Sequence, residues 1–285
     1  MLQVRLAAIT KVFENPAAVC VTLVCNWALQ PFVMYAFARF FFEVVFGSVL
    51  SEEQKQKYLT GLVILGGSPC TAMVFMWSTL VRGDATYTLV QVALNDIILL
   101  FLYTPTVVAL LGISGIDIPW ELVVTSVMLF VALPLLVASI INLALQTSEH
   151  SQKMILLCLR PASQIALLLV VVLIFAFQGS KLSVHMLIIA LPLLVQTFTI
   201  FTIAYFLFFK LRVVHEQAAP GALIACSNFF ELGVSVAISL YGFGDPTVLA
   251  NVVGVLCEVP TMLLLVYICN GTRDKFPAAA ALPVR

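Results

Sequence analysis

Charged side chains are scarce in this sequence. Lys and Arg number 14, Asp and Glu number 14, and together they make up 10% of 285 residues, against 62% hydrophobic residues. A soluble domain is roughly a quarter charged, so this chain has too few polar side chains to cover a surface that faces water. That scarcity excludes a soluble globular protein and predicts an integral membrane protein in a lipid bilayer. The net charge of zero also argues against nucleic-acid binding.

Several signatures of catalysis and cofactor binding are missing as well. The sequence has no glycine-rich loop ending in Lys-Ser or Lys-Thr, so we expect no use of ATP. The three histidines, His150, His185 and His215, fall at predicted loops or edges of apolar runs. They therefore provide neither metal-ligand spacing nor a partner for a Ser or Cys nucleophile. We expect a protein that is not an enzyme and that holds no cofactor and no resident metal.

Cysteine spacing excludes two further classes of protein. The seven cysteines show neither the spacing of a disulfide framework nor that of a zinc site. The N-terminal residues also lack the short apolar core and small-residue cleavage site of a signal peptide.

Long apolar runs are what the sequence has in abundance. Each of eight runs is about 20 residues or more, which is long enough to cross the hydrocarbon core of a bilayer. The predicted spans are about 17–42, 59–80, 86–111, 120–145, 161–178, 184–209, 217–241 and 247–269.

Basic residues are distributed unevenly between the two sides of these spans. One set of flanks holds ten basic residues: Arg5, Lys11, Arg82, Lys153, Arg160, Lys210, Arg212, Arg273, Lys275 and Arg285. The other set holds four: Arg39, Lys55, Lys57 and Lys181. Because Lys and Arg concentrate on the cytoplasmic side, we expect both termini to be cytoplasmic.

The second predicted span is interrupted at Gly66-Gly-Ser-Pro-Cys70. A broken helix in a bilayer is tolerated only where protein or a water-filled cavity satisfies its backbone. Cys70 follows the break, and the N-terminus of the next half-helix would stabilise a thiolate there. A thiolate binds soft, thiophilic solutes, so the sequence predicts a transport site at Cys70. The alternative is a proline-kinked helix with a packed, inert cysteine. Among the other cysteines, Cys226 could line the same cavity, and the rest are expected to be small hydrophobes.

Three acidic residues lie well inside predicted spans, without a Lys or Arg at the same depth: Asp96, Glu231 and Glu258. Ionisable residues in such positions usually face a cavity or a partner, and these could bind and release a proton near neutral pH. Glu231 is the strongest candidate, because Ser227 and Asn228 precede it in a second polar interruption. For Asp96 and Glu258 a structural, hydrogen-bonded role is an equal alternative.

The interrupted spans occupy corresponding places in two halves of the chain. The second span is followed by one that carries Asn95 and Asp96 near its middle, and the seventh by one that carries Glu258. Interrupted, polar segments in corresponding positions of two halves are the best sequence indication of a transporter's binding site.

Several sequence motifs resemble those of a known family. The motifs are Asn26-Trp27 with Pro31, Pro69 to Phe75 with Trp77-Ser78, Gly83-Asp84, Tyr87 to Asp96, Cys226 to Leu232, and Val255 to Pro260. The chain resembles the arsenite-efflux permease family, within the bile acid/sodium symporter superfamily. The resemblance implies an all-α polytopic membrane protein with ten spans in two inverted repeats, two crossed broken helices in a core, and a smaller panel that moves against it.

The same resemblance implies how this chain is divided. About eight of the ten spans are present, and Met1 falls just before the family's third span. Residues 1–116 would be the end of the first repeat, 117–180 the panel spans, 181–270 the core spans of the second repeat, and 271–285 a disordered cytoplasmic tail.

The implied activity is export of arsenite, and in some members antimonite, across the plasma (inner) membrane in exchange for protons. The family's transport cysteine falls on Cys70 and its functional acid on Glu231. We expect the solute near Cys70, Glu231, Asn228 and Ser227, and proton coupling or polar core roles for Glu231, Asp96, Asn95 and Glu258. Two alternatives stay open: a sodium-coupled organic-anion symporter, and a membrane protein that transports nothing.

Overall fold

The computed structural model describes residues 16–71, 73–115, 120–134 and 184–277, together with residues 136, 137, 140, 165, 169 and 172. Within these ranges the regular structure is helical, which agrees with the predicted all-α class. The helices are α1 (Pro16–Val45), α2 (Glu52–Gly66), α3 (Val74–Leu80), α4 (Ala85–Ile113), α5 (Trp120–Val127), α6 (Val184–Lys210), α7 (His215–Cys226), α8 (Phe230–Tyr241) and α9 (Pro246–Gly271).

The helices reproduce the predicted spans where the structure describes them. Four helices are long and apolar enough to cross a membrane without interruption: α1, α4, α6 and α9. The second and seventh predicted spans are each divided in two, into α2 and α3 and into α7 and α8. The fourth span is described from Trp120 through a π-helical segment, Met128–Ala132. The fifth span, 161–178, lies outside the described residues except for residues 165, 169 and 172.

Local sequence explains where these helices start. Ser51 and Gln54 form a capping box at the start of α2, each accepting a hydrogen bond from the other's backbone N–H. Asp84 accepts hydrogen bonds from the first backbone N–H groups of α4, and Asp245 does the same for α9. Helix α1 widens into a π-helical turn at Cys25–Leu29, directly before Pro31. The wider turn relieves the clash between the proline ring and the carbonyl four residues earlier.

The helices repeat one order in the two halves of the described chain. A long helix is followed by an interrupted helix and then by a long helix with an aspartate cap. The first set is α1, α2/α3 and α4, and the second is α6, α7/α8 and α9. The predicted domain boundaries near residues 116 and 180 both lie outside the described residues.

Helix α2 packs against α1, α8 and α9, so the first interrupted helix lies in contact with the second half of the chain. At Gly61 the helices approach so closely that an added Cβ would lie 2.4 Å from the Thr247 carbonyl oxygen of α9. The contact therefore requires the absence of a side chain at residue 61.

Residues after α9 are ordered further than the sequence suggested. The predicted disordered tail begins at residue 271, but Arg273–Lys275 form a 3-10 turn and Phe276 is buried. The Phe276 ring packs near Tyr205, Phe209 and His215, which holds this part of the tail against α6 and α7. The correction applies to residues 271–277, and residues 278–285 lie outside the described part of the chain.

Candidate functional site

The two interrupted helices cross at their breaks, and their unwound backbones bond to each other. Pro69 and Asn228 pair as an antiparallel β-bridge. The backbone N–H of Cys70 donates to the Ser227 carbonyl oxygen (3.1 Å), and that of Phe229 donates to the Ser68 carbonyl oxygen (3.0 Å). Backbone groups that leave a helix inside a bilayer need such partners. The two breaks therefore satisfy each other.

Cys70 is fully buried at this crossing. Its side chain packs with Val74, Val92 and Ile224, while the Ser227 side chain and the Met73 backbone N–H are within hydrogen-bonding reach of its sulfur. Helix α3 begins at Val74, so Cys70 lies in the unwound segment before it. The Met73 N–H, at the N-cap of α3, is the backbone group of this helix start that reaches the sulfur, and stabilisation of a thiolate there stays a prediction.

Glu258 and Glu231 approach the crossing from α9 and from the first turn of α8. The Ser227 hydroxyl donates a hydrogen bond to Glu258 Oε1, and the Asn228 backbone N–H also reaches that carboxyl group. Both acids are close enough to Cys70 to interact with it electrostatically. The Oε2 atom of Glu231 is buried and has no hydrogen-bond partner among the described residues.

Ion pairs in the described part of the chain lie at helix ends rather than at this crossing. None of them includes Asp96, Glu231 or Glu258. The pairs are Arg39–Glu43, Lys55–Glu52, Lys57–Glu53, Lys57–Asp245 and Arg273–Glu216. Among the described residues, the carboxyl, amide, hydroxyl and thiol groups at this crossing therefore form no ion pair.

The side-chain amide of Asn228 connects the crossing to the two long helices α1 and α6. Gln30 Nε2 donates to Asn228 Oδ1 (2.7 Å) and to the Ser227 carbonyl oxygen (3.2 Å). Asn228 Nδ2 donates to Gln196 Oε1 at 3.4 Å. Asn228 thus lies between a glutamine from each half of the chain, and both glutamines are fully buried.

Asp96 and Asn95 lie on α4 with different partners. Asp96 is buried, and the Thr71 side chain, next to Cys70 in the sequence, reaches its carboxyl group. Asn95 Oδ1 accepts hydrogen bonds from Asn26 Nδ2 (3.2 Å) and Trp27 Nε1 (3.0 Å), in the widened turn of α1.

Five of the seven residues singled out in the sequence therefore meet at the crossing: Cys70, Ser227, Asn228, Glu231 and Glu258. Asp96 joins them through Thr71, whereas Asn95 bonds to α1.

Sequence reasoning did not identify Gln30 or Gln196 as members of this site. The signal was available, because an amide in the middle of an apolar run usually faces the interior of a helix bundle. Their common partner could not be read from the sequence, since Asn228 is 198 residues from Gln30.

Cys226 and His215 have other neighbours than Cys70. Cys226 is buried in a different hydrophobic cluster from Cys70, with its sulfur 3.9 Å from the Met262 sulfur. His215 bonds to the Cys269 carbonyl oxygen near the end of α9. Within the described residues there is no group of three or more His, Cys, Asp or Glu side chains that could hold a metal ion.

Comparison with known proteins extends this picture. The profile of the sodium bile acid symporter family matches residues 1–185. The chain belongs to this family. It is 44% identical to the arsenical-resistance protein Acr3 of Alkaliphilus metalliredigens, over 98% of this chain and 80% of that protein. This member of the sodium bile acid symporter family is thus an all-α polytopic membrane protein, as predicted.

Two further relatives are similar over most of their lengths. An uncharacterized transporter of Synechocystis is 39% identical over 97% of this chain and 76% of its own. The arsenical-resistance protein Acr3 of Corynebacterium glutamicum is 29% identical over 92% of this chain and 73% of its own. The resemblance inferred from the sequence motifs is confirmed by these matches.

Proposed function

We propose that this protein exports arsenite from the cytoplasm by secondary active transport, in exchange for protons, with Cys70 and Glu231 at the solute and proton site. The observation that carries the proposal is the crossing of the two breaks. It brings Cys70 next to Ser227, whose hydroxyl bonds to Glu258, with Glu231 in the first turn of the adjoining helix. Two relatives named as arsenical-resistance proteins support arsenite as the solute, and antimonite is a soft, thiophilic solute of the same kind.

Cys70 provides the soft ligand in this mechanism. Arsenous acid and the Cys70 thiol would form one As–S bond with release of one water molecule, and the reverse reaction would release the solute. A single thiol keeps this capture reversible, since several thiolates would hold arsenic(III) too tightly for transport.

Glu231 provides the exchange with protons. Its Oε2, which has no partner among the described residues, is buried, so the carboxyl group could hold either a proton or a hydroxyl group of the solute. Glu258, which is bonded to Ser227, would keep the unwound segment in place. Because Cys70 is 0% exposed, the solute would reach it only when the helices around the crossing rearrange. We place the protein in the plasma membrane with both termini in the cytoplasm, on the strength of its basic flanks.

Uptake of arsenite into everted membrane vesicles with an acidic interior tests this function. Wild-type protein should accumulate arsenite, and Cys70→Ser should reduce uptake to that of empty vesicles while the protein still inserts into the membrane. The exposed Cys20 offers a matched control, and Cys20→Ser should transport normally. Normal uptake by Cys70→Ser would rule out the cysteine's assigned role.

A second candidate function follows from the description of the family, which names sodium and bile acid. In that case the chain would take up an organic anion with sodium. Replacing sodium by choline in the same vesicle assay separates the two functions. Arsenite uptake should be unaffected by the replacement, and a transport activity that requires sodium and ignores arsenite would favour the second function.

A further inference from the structure

Gln30 and Gln196 lie on either side of the unwound segment at Ser227 and Asn228. Gln30 Nε2 and the Cys70 backbone N–H donate to the same oxygen, the Ser227 carbonyl, at 3.2 Å and 3.1 Å. The Gln30 amide is therefore immediately next to the backbone of the cysteine. Through Asn228, the Gln196 amide belongs to the same hydrogen-bonded chain.

Each glutamine has one amide atom in use and one without a partner. Gln30 Oε1, an acceptor, and Gln196 Nε2, a donor, have no hydrogen-bond partner among the described residues, although both side chains are 0% exposed. Ser68 Oγ, directly before the β-bridge, is a third such atom. Buried polar atoms are almost always hydrogen-bonded, and leaving one without a partner costs about 1–3 kcal/mol. Three such atoms lie around one crossing, so a polar guest there would find partners for its own hydrogen bonds.

The chemistry of these atoms restricts what that guest can be. They combine an acceptor, a donor and a hydroxyl that can act as either, and none carries a charge. Among the described residues no ion pair includes Glu231 or Glu258, so a guest anion would meet these carboxyl groups without a compensating cation from that part of the chain. A small, neutral molecule with several hydroxyl groups fits this set, because a hydroxyl both donates and accepts.

We propose that Gln30 and Gln196 form a hydrogen-bonding subsite that reads the hydroxyl groups of an uncharged trihydroxide, arsenous acid, while its arsenic atom is at Cys70. The inference rests on the proposed function for the identity of the solute. The two glutamines set specificity for the number of hydroxyl groups, and Cys70 sets specificity for the soft atom.

The test compares two solutes in the same membranes. Methylarsonous acid has a methyl group in place of one hydroxyl of arsenous acid, so it keeps the soft arsenic atom and loses one hydrogen-bonding group. Gln30→Met and Gln196→Met keep side-chain length and remove the amide. Each should raise the KM for arsenous acid roughly three- to tenfold, the size expected for one lost neutral hydrogen bond. The inhibition constant of methylarsonous acid should change less. The ratio of the KM for arsenous acid to this inhibition constant should therefore rise.

Gln91→Met is the matched control. Gln91 is also fully buried with an unpartnered Oε1, but its Nε2 bonds to the Val19 carbonyl and the Tyr87 hydroxyl instead of the crossing. This variant should leave the ratio as in wild type. The ratio does not depend on how much protein is inserted. If a Met variant fails to insert, the corresponding Asn variant, Gln30→Asn or Gln196→Asn, is compared instead. Its side chain is shorter by one methylene, which moves the amide away from the solute.

The outcomes separate this inference from the proposed function. If wild-type vesicles take up arsenous acid and the ratio is unchanged in both glutamine variants, the subsite is overturned and the exporter stands. If wild-type vesicles take up none, the exporter is overturned. Calorimetric titration of purified protein with arsenous acid then tests the subsite. If the subsite exists, arsenous acid should bind more weakly to Gln30→Met than to wild type, and equally well to Gln91→Met.

Discussion

The backbone N–H of Cys70 donates to the carbonyl oxygen of Ser227, 157 positions further along the chain, at 3.1 Å (227 − 70 = 157). Neither residue lies in a helix at that point, because α2 ends at Gly66 and α7 ends at Cys226. Two segments that would each be costly to bury alone become tolerable together, since each supplies the hydrogen-bonding groups that the other lacks. The cost of the breaks in the bilayer is thus largely removed by pairing them, and the pairing positions the thiol.

Close approach of α2 and α9 predicts that Gly61 cannot be replaced. The Cβ of Gly61→Ala would lie 2.4 Å from the Thr247 carbonyl oxygen and 2.6 Å from the Ala250 Cβ. Since a backbone atom cannot move aside, we expect a loss of about 1–3 kcal/mol in the free energy of unfolding. Thermal unfolding in detergent measures it.

Gly112→Ala is the control for that substitution. An added Cβ at Gly112, in the last turn of α4, meets nothing within 4 Å. Alanine in a helix is favoured over glycine by roughly 0.5–1 kcal/mol, so this variant should be as stable as wild type or slightly more. Equal losses in the two variants would mean that the close contact at Gly61 does not govern stability.

The hydroxyl of Tyr103 predicts a second effect on stability. It donates to the Ile64 carbonyl oxygen (3.0 Å), in the last turn of α2 just before the break. Carbonyls in the last turn of a helix have lost their helical donors, and this one is buried. Tyr103→Phe should therefore cost about 1–3 kcal/mol, measured by the same unfolding experiment.

Tyr267, which is 77% exposed, serves as the comparison for Tyr103. Tyr267→Phe should leave the unfolding temperature unchanged. A Tyr103→Phe protein that is as stable as the Tyr267→Phe protein would show that the Ile64 carbonyl has another partner.

The cap of α9 predicts how stability depends on pH. Partial burial opposes ionisation of Asp245, but hydrogen bonds from Thr247 and from Lys57 outweigh it and hold the pKa of Asp245 below its ordinary value of 3.8. A carboxyl group whose pKa is lower in the folded state stabilises the fold above its unfolded pKa, and this contribution disappears as the pH falls through the folded pKa. Asp245→Asn keeps the cap and removes the charge.

Wild type should therefore unfold at a higher temperature than Asp245→Asn above about pH 4. The difference should shrink as the pH is lowered further. The exposed Asp274 gives the control, and Asp274→Asn should match wild type across the series. A wild-type advantage that grew toward low pH would contradict the assignment of the Lys57–Asp245 pair.

Much of this molecule was determined by sequence alone. Low charge and eight apolar runs require a membrane protein, because such a chain cannot cover itself with polar groups in water. Gly66, Gly67 and Pro69 predict the first break, and Ser227 and Asn228 mark the second, since these residues interrupt helices that a bilayer otherwise favours.

Tertiary structure alone decided which of these polar groups meet. Cys70 is far in the chain from Ser227, and Asn228 is far from Gln30 and Gln196, so no local pattern could pair them. Contact between these residues depends on how whole helices cross. The length of the unwound segment was decided in the same way. The Cys70 N–H bonds to the Ser227 carbonyl oxygen across the crossing, and α3 begins only at Val74.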